Sequence, residues 1–279
     1  MQIAHLILAH KNPLQLEKLI IALQYPSFSF YIHVDKKVNI QPFEYLRKYK
    51  NVFFIKKRTK IFWAGYGTIQ ATINGIKEIL PFKYEYINVV SGQDFPLKTA
   101  GEIYSFFLVN NGKEFITCRS VEHEWKEAEV RIKKYHLINS RTPGKYQLEK
   151  LINKILPERK FPLNYTLVGR SNWFAITYEA AKYIIEFLDQ HPQIVRFFKF
   201  SWGADELIFS TILYNSSFKD KITDNLVYVD WSEKKAHPKI LRTEDYNALI
   251  NSDKLFARKF DADADAVILE MLENFLKTK

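Results

Sequence analysis

The stretch Ile3-Ala4-His5-Leu6-Ile7-Leu8-Ala9, followed closely by Asn12-Pro13, decides the fold class of this chain of 279 residues. A mainly apolar run of this length is typical of a strand buried on both faces. Asn-Pro predicts a helix cap with proline at the first helical position. Apolar side chains then recur at helical spacing, at Leu16, Leu19 and Leu23. The stretch is therefore predicted to form a βα unit.

The same alternation of strand and helix continues outward from this unit. Strands are predicted at residues 30–35, 52–55, 86–90, 114–118, 173–176 and 226–231. Helices are predicted from Thr68, from the capping box at Thr99, and after Asp265. The charged segment 120–162 is interpreted as an insertion or loop region over the sheet. The whole pattern predicts an α/β fold with a mostly parallel sheet, helices on both faces, and a ligand crevice at the carboxyl ends of the strands.

Composition limits the classes of protein that fit. With 47% hydrophobic and 26% charged residues, the chain is globular and has a large core. Its single cysteine, Cys118, excludes an intrachain disulfide framework and a thiolate zinc site. The formal net charge of +10 predicts an anionic partner: nucleic acid, a nucleotide phosphate, an acidic glycan or an anionic membrane surface.

Two adjacent acids stand out in Trp202-Gly203-Ala204-Asp205-Glu206, just before the apolar run 207–213. A carboxylate at a strand-to-helix turn lies where ligands bind, and aromatic neighbours can raise its pKa toward the range of a general base. The alternative is that Asp205 caps the helix and Glu206 faces the helix dipole. Local sequence alone favours this capping role.

Several stretches together resemble a known family. They are His33-Val34-Asp35, Ile87 to Thr99 (INVVSGQDFPLKT), Gly169 to Phe174 (GRSNWF), Asp205-Glu206, and Leu255 to Asp261 (LFARKFD). In this order they resemble the core-2/I-branching N-acetylglucosaminyltransferases and the peptide O-xylosyltransferases of glycosyltransferase family 14. The resemblance extends from about residue 3 to the C-terminus. It implies a variant of the GT-A fold in one glycosyltransferase domain over 1–279, with a nucleotide-binding half at 1–118 and an acceptor-binding and catalytic half at 119–279.

The resemblance also implies a chemistry, namely inverting transfer of GlcNAc, xylose or a related sugar from a UDP donor to a hydroxyl of a glycan or lipid-linked acceptor. Such a reaction needs a base beside the acceptor hydroxyl and positive charge beside the departing diphosphate. Glu206 matches the family's base, with Asp205 as cap and orienter. Binding of the nucleotide sugar is assigned to His10, Asp35, Asp94, Lys239, Arg258 and Lys259.

The diphosphate partners depart from the family pattern at one point. Lys259 matches the lysine that contacts the diphosphate, but the upstream arginine of the core-2 enzymes is replaced by the segment 236–242, AHPKILR. The second cation is then Lys239, His237, Arg242 or Arg258, with Lys239 favoured.

Metal binding is the other question that the acids raise. Asp261, Asp263 and Asp265 alternate as metal-binding acids do, yet they precede an apolar helix, which favours capping. No metal and no other cofactor is therefore expected, and cationic side chains are expected to replace the ion.

Acceptor contacts are predicted at Glu122, Arg131 and Trp173. The first two lie where the core-2 enzymes have acidic and basic acceptor residues, and the tryptophan is suited to stacking on a pyranose face. A solvated charged loop and a core tryptophan are the alternatives that remain open.

The competing function is a non-catalytic basic module that binds nucleic acid or an anionic membrane surface. The dense basic clusters, at 56–60 and 133–134, lie outside any recognisable nucleic-acid motif, so no nucleic-acid partner is expected. Lacking a signal anchor, the sequence predicts a bacterial cytoplasmic enzyme of surface-polysaccharide or glycoconjugate synthesis, peripheral on the inner membrane face.

Overall fold

The computed structural model describes residues 1–139 and 143–279. Its strands are β1 (Ile3–Ala9), β2 (Phe28–Val34), β3 (Val52–Phe54), β4 (Tyr86–Ser91), β5 (Phe95–Pro96), β6 (Glu114–Phe115), β7 (Arg119–Ser120), β8 (Val168–Gly169), β9 (Phe174–Thr177), β10 (Ile222–Thr223), β11 (Val227–Val229) and β12 (Phe256–Arg258). Its α-helices are α1 (Pro13–Ala22), α2 (Gln41–Glu44), α3 (Gly67–Ile79), α4 (Ala100–Val109), α5 (Glu129–Lys133), α6 (Lys145–Ile155), α7 (Tyr178–Gln190), α8 (Pro192–Lys199), α9 (Ile208–Tyr214), α10 (Tyr246–Ile250) and α11 (Val267–Lys277). The α/β class with mostly parallel strands is confirmed.

The chain forms two compact units, each assembled from separate segments. Unit 1 consists of Met1–Ile55, Tyr84–Gly112 and Leu226–Lys279. Unit 2 consists of Lys56–Lys83 and Lys113–Asn225. The division of a single domain after residue 118 stays a prediction.

The main sheet of unit 1 has the strand order β4-β1-β2-β3, with every neighbouring pair parallel. All residues of β1 are buried, which explains the continuous apolar run. His5 lies inside this run, and burial lowers its pKa to about 3, so the ring is neutral. Because parallel strands end at one edge of a sheet, the residues after β1 and β2 lie side by side. The N–H of Asp35 bonds the carbonyl of Ala9 at 2.8 Å.

The helix starts predicted from the sequence of unit 1 are confirmed in part. The capping box is confirmed: the Thr99 hydroxyl accepts from the N–H of Glu102, and the Glu102 carboxylate accepts from the N–H of Thr99. Proline opens α1 as expected, but Asn12 does not cap it through its side chain. The Asn12 backbone is left-handed, with φ 50°, and its amide donates to Asp261 and Asp263 instead.

A second, three-stranded sheet in unit 1 has the order β11-β12-β5. Strand β12 runs parallel to β11 and antiparallel to β5. Arg258 is the last residue of β12 and pairs in register with Val229. This sheet therefore fixes the backbone that leads into Lys259.

Unit 2 contains the strands β10-β6-β9 and the two-stranded ribbon of β7 and β8. Strand β6 is parallel to β10 and antiparallel to β9. The strand predicted over residues 114–118 is shorter, because the Thr117 side chain donates to Asp224 at 2.6 Å and accepts from Asn225 at 2.6 Å. These side-chain bonds take the place of further pairing between strands.

The prediction for the Asp205-Glu206 turn was wrong in two respects. The element before the turn is a helix, α8, and a 3-10 turn over Ala204–Glu206 leads into α9. Asp205 does not cap α9, because the N-cap position is Leu207 and no side chain bonds there. The turn closes through its own backbone, with the N–H of Leu207 bonded to the carbonyl of Ala204 at 3.1 Å.

Arg159 ties together distant parts of unit 2. Its guanidinium donates to the carbonyls of Ile132, Lys134, Phe197 and Phe200 and to the Ser201 hydroxyl. Its own N–H bonds the carbonyl of Lys133 at 2.9 Å. These contacts therefore hold the end of α5 against the end of α8.

Candidate functional site

Polar residues of unit 1 meet at the carboxyl edge of β1 and β2. His10 follows β1, and Asp35 follows β2 and is buried. Lys37 Nζ lies 3.3 Å from a carboxylate oxygen of Asp35. The charges of Asp35, Lys11 and Lys259 all shift the pKa of His10, because these side chains lie near its ring. The structure thus brings the predicted residues His10, Asp35 and Lys259 together.

Positive charge is concentrated at this edge. Burial lowers the pKa of His10, and the charges of Lys259 and Lys11 lower it further. Burial also lowers the pKa of Lys259, with added effects from Arg258 and Lys11. Cations that depress one another's pKa in a partly buried position form a site suited to an anion, whose binding relieves their repulsion.

Asp94 is completely buried, at 0% exposure, and faces Arg258. The Arg258 Nε lies 3.4 Å from Asp94 Oδ1, and Asp94 Oδ2 accepts from the N–H of Ser91 at 2.8 Å. Burial raises the pKa of Asp94 to about 6, against the lowering effect of Arg258. Asp94 is therefore a buried carboxylate whose charge can orient the Arg258 side chain.

The candidates for a second cation differ in their surroundings. Lys239 Nζ donates to Asp245 at 2.6 Å, and Arg242 donates to the carbonyl of Ala264 at 3.2 Å. His237 is exposed. Lys11 was missed by the sequence reasoning, although it directly follows the predicted residue His10. Its contact with Asp261, at 2.5 Å, joins positions 250 residues apart, and nothing in the local sequence indicates that contact.

The alternating acids after Lys259 each have a structural partner. Asp261 bonds Lys11, and Asp265 Oδ1 accepts from the N–H groups of Val267 and Ile268 at the start of α11. The capping role expected for Asp265 is confirmed. Within 1–139 and 143–279, no three His, Cys, Asp or Glu side chains converge in a manner suited to a metal ion.

Glu206 lies in unit 2 in an aromatic setting. Arg131 Nη1 donates to Glu206 Oε2 at 2.7 Å, and the two side chains are 22% and 30% exposed. The guanidinium of Arg131 stacks 4.4 Å from the ring of Trp202 and 4.9 Å from that of Trp125. The carboxylate is thus held at a fixed angle by a cation that is itself clamped between two rings.

Asp205 is the neighbouring carboxylate. Burial raises its pKa to about 7, and the charge of Glu206 adds to the rise. Asp205 Oδ2 accepts from the amide of Asn172 at 2.9 Å. Two adjacent acids in different environments are a common arrangement where one carboxylate stays ionised and the other holds a proton. Asn172 is a second residue that the sequence reasoning missed.

Two glycines permit the close packing of this turn. Gly203 has φ +60°, and a Cβ there would lie 3.2 Å from Arg131 Nη1. A Cβ on Gly169 would lie 2.1 Å from the carbonyl oxygen of Glu206. The N–H of Arg170 bonds the same carbonyl at 3.0 Å. Strand β8 therefore fixes the backbone of Glu206 through direct contact.

A cavity of about 650 Å³ opens beside Arg131. Its walls include the aromatic side chains of Trp63, Trp202 and Tyr146. Trp63 packs edge-on against Trp202 at 5.1 Å and is 64% exposed. Exposed aromatic faces of this kind suit the apolar face of a sugar ring.

The other two acceptor candidates lie in different environments. The Glu122 side chain is 80% exposed and lies 3.8 Å from His123, which agrees with the solvated-loop alternative. Trp173 is half-buried and directly follows Asn172, the partner of Asp205. The structure thus brings Arg131 to Glu206, places Trp173 beside a partner of Asp205, and leaves Glu122 in solvent.

Comparisons with known proteins show which family and which relatives this chain is similar to. The family model described as Core-2/I-Branching enzyme matches residues 3–251. Xylosyltransferase 2 of Rattus norvegicus is 25% identical over 303 residues, which cover 98% of this chain and 33% of that protein. Xylosyltransferase oxt of Drosophila pseudoobscura pseudoobscura is 23% identical over 293 residues, covering 94% and 32%. The chain thus spans about a third of the length of these relatives.

Among solved structures, mouse Xyloside xylosyltransferase 1 in its apo form is similar at a TM-score of 0.43 and 11% identity, covering 91% of this chain and 97% of that one. A likeness this distant carries no conclusion about activity. Separately, across the two described ranges of the chain, no helix is both long and apolar enough to cross a bilayer.

Proposed function

Because the chain belongs to the Core-2/I-branching enzyme family, we propose that it is a glycosyltransferase that moves a sugar, such as GlcNAc or xylose, from a UDP donor to a hydroxyl of a glycan or lipid-linked acceptor. The observation that carries the proposal is the Glu206 carboxylate, held by Arg131 at 2.7 Å in an aromatic setting. The proposed reaction inverts the anomeric centre and needs no metal.

The proposed chemistry is a single displacement. Glu206 takes the proton of the acceptor hydroxyl while that oxygen forms a bond to the anomeric carbon. The bond from this carbon to the diphosphate oxygen breaks, and UDP leaves with the electron pair. Arg131 orients the carboxylate throughout, since a charge-assisted hydrogen bond fixes its angle.

Donor binding is proposed for the cationic edge of unit 1. Lys259 and Lys11 would neutralise the charge that develops on the diphosphate, and Arg258, oriented by Asp94, would add to them. Neutral His10 and Asp35 would contact the nucleotide by hydrogen bonds. Lys239 remains a proposed diphosphate ligand that would have to exchange its contact with Asp245.

The test is Glu206→Gln, which keeps the size of the side chain but cannot take a proton. We expect turnover to fall by about 10²-fold or more, with UDP affinity unchanged. The matched control is Glu129→Gln, which removes another ion-paired glutamate of unit 2, 3.1 Å from Lys133. The control should retain wild-type turnover. Wild-type turnover of purified Glu206→Gln with its true acceptor would contradict the proposal.

A further inference from the structure

Helix α6 presents a row of apolar side chains to solvent. Leu148, Leu151 and Ile155 follow one another at helical spacing and are 50%, 52% and 69% exposed. No residue of α6 is buried. A contiguous apolar row kept in water is unfavourable for an isolated protein and is typical of a binding surface.

The polar face of α6 is the face turned toward the protein. Glu149 accepts from the N–H of Leu137 at 2.8 Å. Asn153 accepts from the N–H of Tyr135 and donates to its carbonyl, each at 2.8 Å. A surface helix of a globular domain normally buries its apolar stripe. Here three hydrogen bonds hold the helix the other way round, so the outward direction of the stripe is built into the structure.

Lysines border the apolar stripe. Lys150 and Lys154 are exposed and lie one turn apart next to it, and exposed Lys160 follows the helix. The exposed acid of this stretch is Glu158. Apolar and lysine faces side by side are typical of helices that lie in the plane of an anionic bilayer. A second copy of the chain, also at net charge +10, would bring like charges together.

We propose that α6 docks this protein on an anionic lipid bilayer. Leu148, Leu151 and Ile155 enter the boundary between headgroups and acyl chains, and Lys150 and Lys154 contact the lipid phosphates. The docking surface is distinct from the basic cluster at 56–60. It does not depend on glycosyl transfer, so failure of the proposed reaction leaves it standing.

The experiment is flotation of the full chain with vesicles of phosphatidylglycerol and phosphatidylcholine in equal parts, compared with phosphatidylcholine alone. The test variant carries Leu148→Gln, Leu151→Gln and Ile155→Gln, which preserve helix propensity. The matched control carries Ile21→Gln, Leu108→Gln and Val109→Gln, whose side chains are 52%, 54% and 82% exposed in unit 1. Thermal unfolding of each variant verifies its fold.

We expect the wild type to float with the anionic vesicles and to be released by high salt. The test variant should lose at least about tenfold in partitioning because the apolar insertion is gone. The control should match the wild type. Lys150→Gln and Lys154→Gln should each reduce binding roughly fivefold, on anionic vesicles only.

Three results would each overturn the proposal. The first is a wild type that stays in solution, and the second is a test variant that floats as well as the control. The third is a dimer in sedimentation experiments without lipid that the test variant abolishes, which would show that a second copy covers the stripe.

Discussion

At the scale of single residues, Lys259 is the side chain whose charge matters most for the proposed donor. Lys259→Ala should weaken UDP binding by about tenfold or more, because a charge-assisted contact to phosphate is lost. Uridine binding should change little, since the nucleoside has no phosphate. Titration calorimetry with both ligands checks this. Lys277→Ala on α11 makes the same change in net charge and should leave UDP affinity intact. An equal loss for uridine would point to a collapsed pocket instead.

Asp205 gives a prediction about pH. Burial and the charge of Glu206 raise its pKa from 3.8 to about 7, so between these values the folded protein keeps a proton that the unfolded chain releases. This group therefore makes the fold less stable as pH rises from about 4 to about 7. Asp205→Asn should flatten that decline in urea unfolding measured across this range.

The stability of the Asp205→Asn protein should still fall somewhat as pH rises, partly because of Asp94. Burial raises the pKa of Asp94 to about 6, so this group too makes the fold less stable at higher pH. Asparagine still accepts the hydrogen bond from Asn172, so the turn itself should persist. Identical slopes for wild type and variant would show that Asp205 is ionised throughout.

The site residues predicted from the sequence differ from those that were missed in how far along the chain their partners lie. Glu206 and Lys259 stand in motifs that resemble a family, and the structure places each in a suitable setting. Lys11 and Asn172 were missed because their partners, Asp261 and Asp205, lie 250 and 33 residues away. Contacts of that kind depend on the folded chain, and even the motif Gly169 to Phe174, which includes Asn172, does not show which residue it bonds.

At the scale of elements, the contact between β8 and the Glu206 turn is the tightest constraint on the proposed base. Gly169→Ala places a Cβ 2.1 Å from the Glu206 carbonyl oxygen, so the backbone must move. We expect a loss of about 1–3 kcal/mol in stability and at least about tenfold in turnover. UDP affinity, which rests on unit 1, should be retained.

The matched control for this prediction is Gly101→Ala in α4. A Cβ there meets only Tyr25 Cε2 at 3.9 Å, an ordinary contact. Alanine should therefore stabilise the protein by about 0.5 kcal/mol and leave turnover unchanged. Equal turnover for both glycine variants would mean that the position of the Glu206 backbone does not limit the reaction.

Elements were predictable where local periodicity sets them. Strand β1 and the capping box of α4 follow from apolar spacing and cap residues alone. The turn before α9 was not predictable, because Ala204–Glu206 takes its 3-10 form under contacts with β8 and Arg131. Its sequence fits a helix cap equally well.

At the scale of the whole molecule, the net charge of +10 is compatible with both a transferase and a binding module. For the transferase, UDP at about a hundred times its Kd should raise the free energy of unfolding by about 2.7 kcal/mol, with the same value in EDTA. DNA retention should vanish by about 0.2 M salt, as for non-specific contacts. Urea unfolding and column retention provide the two measurements.

Stabilisation by UDP that disappears in EDTA and returns with manganese would refute the metal-independent reaction. Asp261 and Asp263 would then be candidate metal ligands. Retention on DNA at high salt, with no effect of UDP, would favour the binding module. Uridine alone should stabilise less than UDP, since the cationic edge of unit 1 would remain unsatisfied.

Arg159 fastens the backbone on both sides of the clamp that Arg131 and Trp202 form around Glu206. Its N–H and guanidinium bond residues 132–134, and the guanidinium also bonds residues 197–201. Arg131 directly precedes the first of these segments, and Trp202, whose ring lies 4.4 Å from the Arg131 guanidinium, directly follows the second. The orientation of the proposed base therefore depends on an arginine that does not line the cavity, so a change at Arg159 would act on turnover from a distance.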